Sequence, residues 1–233
     1  MINKLKQIIK QIVHYPKLVL KETDYDDYWK NKRGDNMGWT SPWQKQRADW
    51  IVARIEEGST VLDVGCGDGG VLLYMKSKKD FQAVGADISD ICLNFLDFKG
   101  IEVVKFDIND FHAIDRLPQV DYIMILEVLE HMQNSEKFLN MIMQKAQKSV
   151  FFSFPNSGYI SYRMRFLFGS FPLQWALHPG EHIRFWTYRD LKWWLKELNL
   201  YDKSTIYLYE GVPILNKIWK GLFGAGFVVE VKK

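Results

Sequence analysis

From residue 60 onward, segments that read as strands alternate with segments that read as helices, and this alternation leaves few folds open. Short apolar runs at 60–64, 81–86, 101–106, 120–126 and 150–154 are separated, in three of the four gaps, by helix-like stretches at 69–77, 90–98 and 134–147. Strands joined by helical crossovers build a parallel sheet with helices on both faces. After Pro155 the pattern is suspended for about thirty residues, through Gly158, Gly169, Pro172, Pro179 and Gly180, which is long for a connection within a domain. The aromatics and arginines there (Tyr159, Tyr162, Arg163, Arg165, Phe166, Phe168, Phe171, Trp175) predict an ordered insertion at about 155–186. Alternation resumes with a helix at 188–199, a strand at 204–209, an amphipathic piece at 213–223 and a last strand at 227–232.

A sheet of this size needs a full core, and the composition supplies one, with 47% hydrophobic and 25% charged residues among 233. The net charge of +3 forces no particular partner. Two cysteines, Cys66 and Cys92, do not make a disulfide framework and predict a cytoplasmic setting. No apolar run approaches the roughly 20 residues of a membrane-spanning helix. In residues 1–20, Ile2, Leu5, Ile9 and Ile12 fall at helical spacing while Lys4, Lys6 and Lys10 lie mostly on other faces. Such a helix packs on its own domain or on a partner, or lies peripherally on an anionic membrane. An aromatic-rich stretch at 23–43 follows, in which Tyr28, Trp39 and Trp43 are candidates for a lid, and then a helix at 44–57 ended by Gly58. The expected organisation is therefore a helix-and-lid segment at 1–44 and a main domain at 45–233.

The chemistry concentrates at Val61-Leu62-Asp63-Val64-Gly65-Cys66-Gly67-Asp68-Gly69-Gly70. An apolar strand running through glycines into a helix brings backbone and a helix amino terminus close to a ligand. Gly65, Gly67 and Gly70 satisfy the dinucleotide spacing G-x-G-x-x-G, and Asp87 lies 22 residues beyond Gly65, where a carboxylate reaches ribose hydroxyls. Asp63 and Asp68 flank the turn, and two carboxylates repel a diphosphate but suit a cationic amino-acid moiety. S-adenosyl-L-methionine, with a sulfonium, an ammonium and no phosphate, meets that requirement.

At this point the sequence resembles the class I S-adenosylmethionine-dependent methyltransferases. Asp63-Val64-Gly65-Cys66-Gly67-Asp68-Gly69 resembles their first motif, Asp87 with Ile88 their ribose-binding position, Asp107-Ile108 their adenine-contacting pair, and Leu126-Glu127-Val128-Leu129-Glu130-His131 their fourth-strand motif. Downstream, Ser153-Phe154-Pro155-Asn156-Ser157-Gly158-Tyr159, then Arg163, Phe168-Gly169-Ser170-Phe171-Pro172 and Trp175, is similar to MetW-type methionine-biosynthesis proteins. The resemblance implies a Rossmann-like, doubly wound, seven-stranded, mostly parallel α/β sheet with its last strand antiparallel. It also implies methyl transfer from S-adenosylmethionine, leaving S-adenosyl-L-homocysteine, onto oxygen or nitrogen of a small molecule or a glycan or lipid precursor. The alternative it implies is a MetW-like partner that activates a homoserine O-acyltransferase without methyl transfer of its own.

The candidate cofactor contacts are Asp63, Gly65, Cys66, Gly67, Asp87, Ile88, Asp107, Ile108 and Glu127. Glu127, Glu130 and His131 stand at the carboxyl end of the fourth strand, where open α/β sheets bind ligands. An oxygen or nitrogen acceptor needs a base when it must lose a proton, and His131, His178 and His182 have the right ordinary pKa for that role. Tyr28, Trp39, Arg163 and Arg184 are the candidates for holding substrate. No metal site is expected: Glu127-x-x-Glu130-His131 finds no further ligand at convincing spacing, and Pro179 and Gly180 break the helix that a His178/His182 pair would need. Nucleic acid is not an expected partner, since no dense basic run occurs and Ser153-Phe154-Pro155-Asn156 does not match the signature of amino-directed base methylation.

Overall fold

β1 (Thr60–Val64) lies at the middle of a seven-stranded sheet with β2 (Gln82–Asp87), β3 (Glu102–Lys105), β4 (Val120–Leu126), β5 (Ala146–Pro155), β6 (Ser204–Tyr209) and β7 (Gly226–Lys232), in the order β3-β2-β1-β4-β5-β7-β6. β1 pairs in parallel with both β2 and β4, while β7 runs antiparallel between β5 and β6. This is the doubly wound α/β sheet with an antiparallel last strand expected above. The structure, a computed structural model, describes residues 2–15, 24–172, 174 and 181–233.

Side chains alternate across each strand and so build two apolar layers. Leu62, Val84, Ile123, Val150 and Phe152 face α6 (Ser135–Ile142) and α8 (Tyr188–Glu197) through Phe138, Leu139, Leu191, Trp194 and Leu195. Val61, Ala83, Tyr122, Met124 and Phe151 face α3 (Pro42–Val52) and α4 (Gly70–Lys76), with Leu96 of α5 (Asp90–Phe98). Because β2 and β4 cross over in opposite directions from β1, the carboxyl ends of these strands open a crevice between them, which is where such sheets take ligands.

Three elements depart from the sequence expectation. Helix α3 begins at Pro42, set by a capping box between Ser41 and Gln44, and stops at Val52 rather than 57. α6 ends at Ile142 rather than 147, and β5 opens at Ala146 rather than 150, because Ala146 pairs with Val120 and Ser149 with both Tyr122 and Lys232. The aromatic stretch contains a helix, α2 (Tyr25–Arg33), capped by the Asp24 carboxylate, which accepts from the Asp26 and Asp27 amides.

The amino-terminal helix α1 (Ile2–Val13) is packed on the insertion helix α7 (Ile160–Leu167). Arg165, buried in α7, donates to the Gln11, Ile12 and His14 carbonyls that end α1, and Lys4 pairs with Glu210 beyond β6. Residues 16–20 of the predicted amphipathic segment lie outside the described residues. Among the described residues, no helix is long and apolar enough to cross a membrane.

Candidate active site

The loop after β1 is fastened to β2 by its own backbone, the Gly65 and Cys66 amides both donating to the Ala86 carbonyl at 2.7 and 3.1 Å. The path requires glycine at two points. Gly65 has φ +71°, and a Cβ there would lie 2.6 Å from a Val128 methyl; Gly67 has φ +53°, and a Cβ there would lie 2.2 Å from the Trp29 ring. Cys66 turns its sulfur toward Gly85 on β2, and burial pushes its thiol well up, which disfavours the nucleophilic thiolate.

Two carboxylates stand at the carboxyl ends of adjacent strands. Asp87 ends β2, where its two oxygens accept from the Gly67 amide at 2.7 Å and the Ser89 amide at 2.9 Å. A carboxylate has about four lone-pair sites, so roughly two remain for a ligand. Burial raises its pKa, and the amide bonds oppose that rise. Asp63, one strand over, is buried with one oxygen unpartnered; burial pushes its carboxyl up to about 7, although Arg47 pulls the other way. Asp68 differs from the sequence expectation. Its charge is answered by Arg33 at 2.6 Å, and it accepts from the Gly38 amide at 3.0 Å, so it latches the amino-terminal segment instead of repelling a ligand.

That latch is one of three. Asp26 of α2 accepts from the Ser89 hydroxyl at 2.6 Å, and Trp29 rests on Gly67, so α2 covers the glycine loop. Tyr28 and Trp39 line the same cleft, with Lys32 over the Tyr28 ring and Arg33 over the Trp39 ring. Burial and the nearby charge of Glu181 push the Tyr28 phenol up to about 12. On the opposite wall, Ile88, Phe106 and Ile108 offer apolar surface, while Asp107 holds its own turn by accepting from the Asn109 amide at 2.9 Å. The cleft encloses about 670 Å³, a volume suited to a small-molecule ligand.

At the end of β4 the backbone itself is strained, with Glu127 at φ +59°. Its Oε1 accepts from Ser153 and Tyr209, both at 2.8 Å, and pairs with Arg47 at 3.0 Å. Arg47 also donates to Ser153 and stacks near the Trp43 ring. Nothing in the motif reading pointed to Arg47; the only signal is its position one turn before Ile51, on the buried face of α3.

His131 and His182, far apart in the sequence, meet edge to face with ring centroids 4.7 Å apart. His131 Nδ1 is hydrogen-bonded to the Glu181 carbonyl, which leaves Nε2 with the free lone pair. Burial lowers the pKa of both rings, that of His182 to about 3, where His131 adds to the effect, so both are neutral at pH 7. His178 lies outside the described residues. The two arginines proposed for substrate are not brought into the cleft. Arg163 donates from Nε to the Gly158 carbonyl at 2.7 Å, and Arg184 is committed to Glu136 and the Gln133 carbonyl.

Comparison with known proteins bears on this cleft. A family model described as "Methyltransferase domain" matches residues 41–205. The chain is 33% identical over 98 residues to (S)-tetrahydroprotoberberine N-methyltransferase of Eschscholzia californica, covering 39% of the chain and 27% of that protein. It is 26% identical over 168 residues to the bifunctional methionine biosynthesis protein MetXA/MetW of Rhodopirellula baltica, covering 64% of the chain and 26% of that protein. The chain thus spans about a quarter of the length of these curated relatives. A solved structure of a SAM-dependent methyltransferase from Archaeoglobus fulgidus superposes with a TM-score of 0.64 at 20% identity, over 90% of the chain and 100% of its own length, a likeness of fold.

Proposed function

The chain belongs to the methyltransferase domain family, and from that premise we propose that its cleft binds S-adenosylmethionine and transfers the methyl group to oxygen or nitrogen of a small molecule or a glycan or lipid precursor. The observation that carries this is the pair of carboxylates at the ends of β1 and β2, Asp63 with an unanswered oxygen and Asp87 with lone pairs to spare, separated by the glycine loop.

Asp87 receives the ribose hydroxyls, Asp63 the ammonium, and Ile88, Phe106 and Ile108 the adenine faces. Asp107 stands beside that apolar wall, and Gly65, Cys66 and Gly67 supply the close backbone approach. Glu127 shapes the wall on the β4 side, where its ion pair with Arg47 holds the strained turn. When bound there, S-adenosylmethionine would supply a methyl carbon activated by its sulfonium, open to an acceptor's lone pair with the neutral thioether as leaving group. The protein's work is alignment and exclusion of water, which α2 performs through Tyr28 and Trp29 together with Trp39 from the segment that follows it. An acceptor that must lose a proton gives it to a neutral imidazole, and His131 is better suited than the very weakly basic His182.

Calorimetric titration with S-adenosylhomocysteine tests the cofactor site without an acceptor. Asp63 must ionise to pair with the ammonium, so affinity is expected to rise about eightfold between about pH 6 and about pH 7.5, and Asp63→Asn should flatten that rise. Absence of binding by folded protein would overturn the proposal. The likeness to a methionine biosynthesis protein supports a second reading, a non-catalytic partner of a homoserine O-acyltransferase. That partner would raise the acyltransferase's activity and turn over no S-adenosylmethionine with any acceptor.

A lipid precursor is favoured among acceptors by one surface. Leu5, Ile9 and Val13 form an exposed stripe on α1 beside Lys6 and Lys10, and Phe166, Leu167 and Phe168 are exposed at the end of the adjacent α7. Peripheral contact of this surface with an anionic membrane predicts co-sedimentation with anionic phospholipid vesicles. Binding should fall severalfold in a Lys6→Glu/Lys10→Glu variant and on raising the salt; equal sedimentation of both proteins would rule the contact out.

A further inference from the structure

Glu130 is 1% exposed, yet neither of its carboxylate oxygens has a hydrogen-bond partner. A buried carboxylate left in that condition is costly unless something answers it. Its surroundings contain two nitrogen ligands. One ligand atom each from Glu130, His131 and His182 lie within 4.8 Å of one another, and His182 Nδ1 is itself buried without a partner. The triad is built into the fold. The Ile183 and Arg184 amides donate to the Glu130 carbonyl at 2.9 and 3.1 Å, which docks the segment bearing His182 against the end of β4. His131 spends Nδ1 on the Glu181 carbonyl, the outer-shell bond that orients a metal-ligating imidazole and presents Nε2 as a lone pair.

From this arrangement we infer that Glu130, His131 and His182 form a binding site for a first-row divalent cation at the floor of the cleft. Two imidazoles and one carboxylate are the donor set of such cations, and three protein ligands leave coordination positions open. Ligand bonds near 2.0–2.2 Å set donor atoms roughly 3 Å apart, so the three side chains close in by an ångström or so on binding. Both histidines line the cleft, so the open positions face the acceptor. The inference rests on the methyl-transfer reading of the same cleft and sharpens it. The acceptor class is one that offers oxygen donors to a cation: the cation would lower the acceptor's pKa so that its proton passes to water, and His131, assigned above to take that proton, would then serve as a ligand.

Cobalt(II) is the probe, added to the 233-residue chain first stripped with a chelator. One equivalent should bind with visible ligand-field bands, and zinc(II) should displace it. His182→Asn, a change at the cleft surface that leaves the core intact, should weaken cobalt binding about a hundredfold or more, and Glu130→Gln should do the same. Equal cobalt affinity and spectra in the wild type and His182→Asn would overturn the inference, as would no binding by the wild type. S-adenosylhomocysteine titration of the same samples separates the two claims: retained cofactor binding without a cobalt site ends only the metal inference, and a cobalt site without cofactor binding ends only the cofactor reading.

Discussion

Asp87→Ala is expected to weaken S-adenosylhomocysteine binding about a hundredfold or more in calorimetry, with the protein still folded by circular dichroism. Hydrogen bonds to a charged acceptor contribute about 1.5–3 kcal/mol each, and two ribose hydroxyls are lost together. At about 1.4 kcal/mol per tenfold, even the lower figure for each bond gives that factor. The substitution also releases the Gly67 and Ser89 amides, so the glycine loop loses its tie to the end of β2. Asp87→Asn separates these contributions. Its amide oxygen still accepts from one backbone amide but carries no charge, and an intermediate loss is the expected result. Unchanged affinity in Asp87→Ala would place the nucleoside elsewhere.

Arg47→Ala is expected to lower the unfolding free energy by about 3–5 kcal/mol, measured by denaturant titration at neutral pH. The guanidinium is buried and serves Glu127 at 3.0 Å and Ser153 at 3.1 Å, and its charge also lowers the pKa of Asp63. Removing it leaves the Glu127 and Asp63 carboxylates without their cation, which costs more than the net worth of the pair. Adding Glu127→Gln should recover part of the loss, because one stranded charge then disappears; no recovery would locate the damage in packing. The pH dependence has a definite sign. Asp63 titrates near 7 when folded against an ordinary value of 3.8, so its contribution to stability is fully present below about 4 and is lost as pH rises toward 7. Without Arg47 its folded value climbs further, and the loss extends to more alkaline solution.

The alternation of strands and crossover helices was legible in the sequence because it is written in local apolar periodicity, and the glycine turn because a tight backbone path tolerates few residue types. Element ends were less legible. Ala146 and Gln147 read as helix on their own and become strand only because β4 lies alongside to pair with Ala146. The covering helix α2 was hidden because what holds it is a glycine loop some forty residues away, reached through Trp29 and Arg33. Arg163 and Arg184 carry the right charge for a substrate role, but neither lines the cleft: a backbone carbonyl holds Arg163, and Glu136 pairs with Arg184.

Apolar periodicity along the chain determined by itself a parallel sheet with its carboxyl-end crevice, and motif spacing set Asp63 near the end of one strand and Asp87 at the end of the next, since each follows from residues close together along the chain; the antiparallel last strand came from the family resemblance. Only the tertiary structure decided what Asp68, Arg47 and His182 do. Asp68 is neutralised by a helix that precedes the sheet, Arg47 reaches across to β4 and β5, and His182 arrives beside Glu130 and His131 from about fifty residues away. Charge pairing and ligand geometry depend on distance in space, which falls steeply within a few ångströms and bears no fixed relation to separation along the chain.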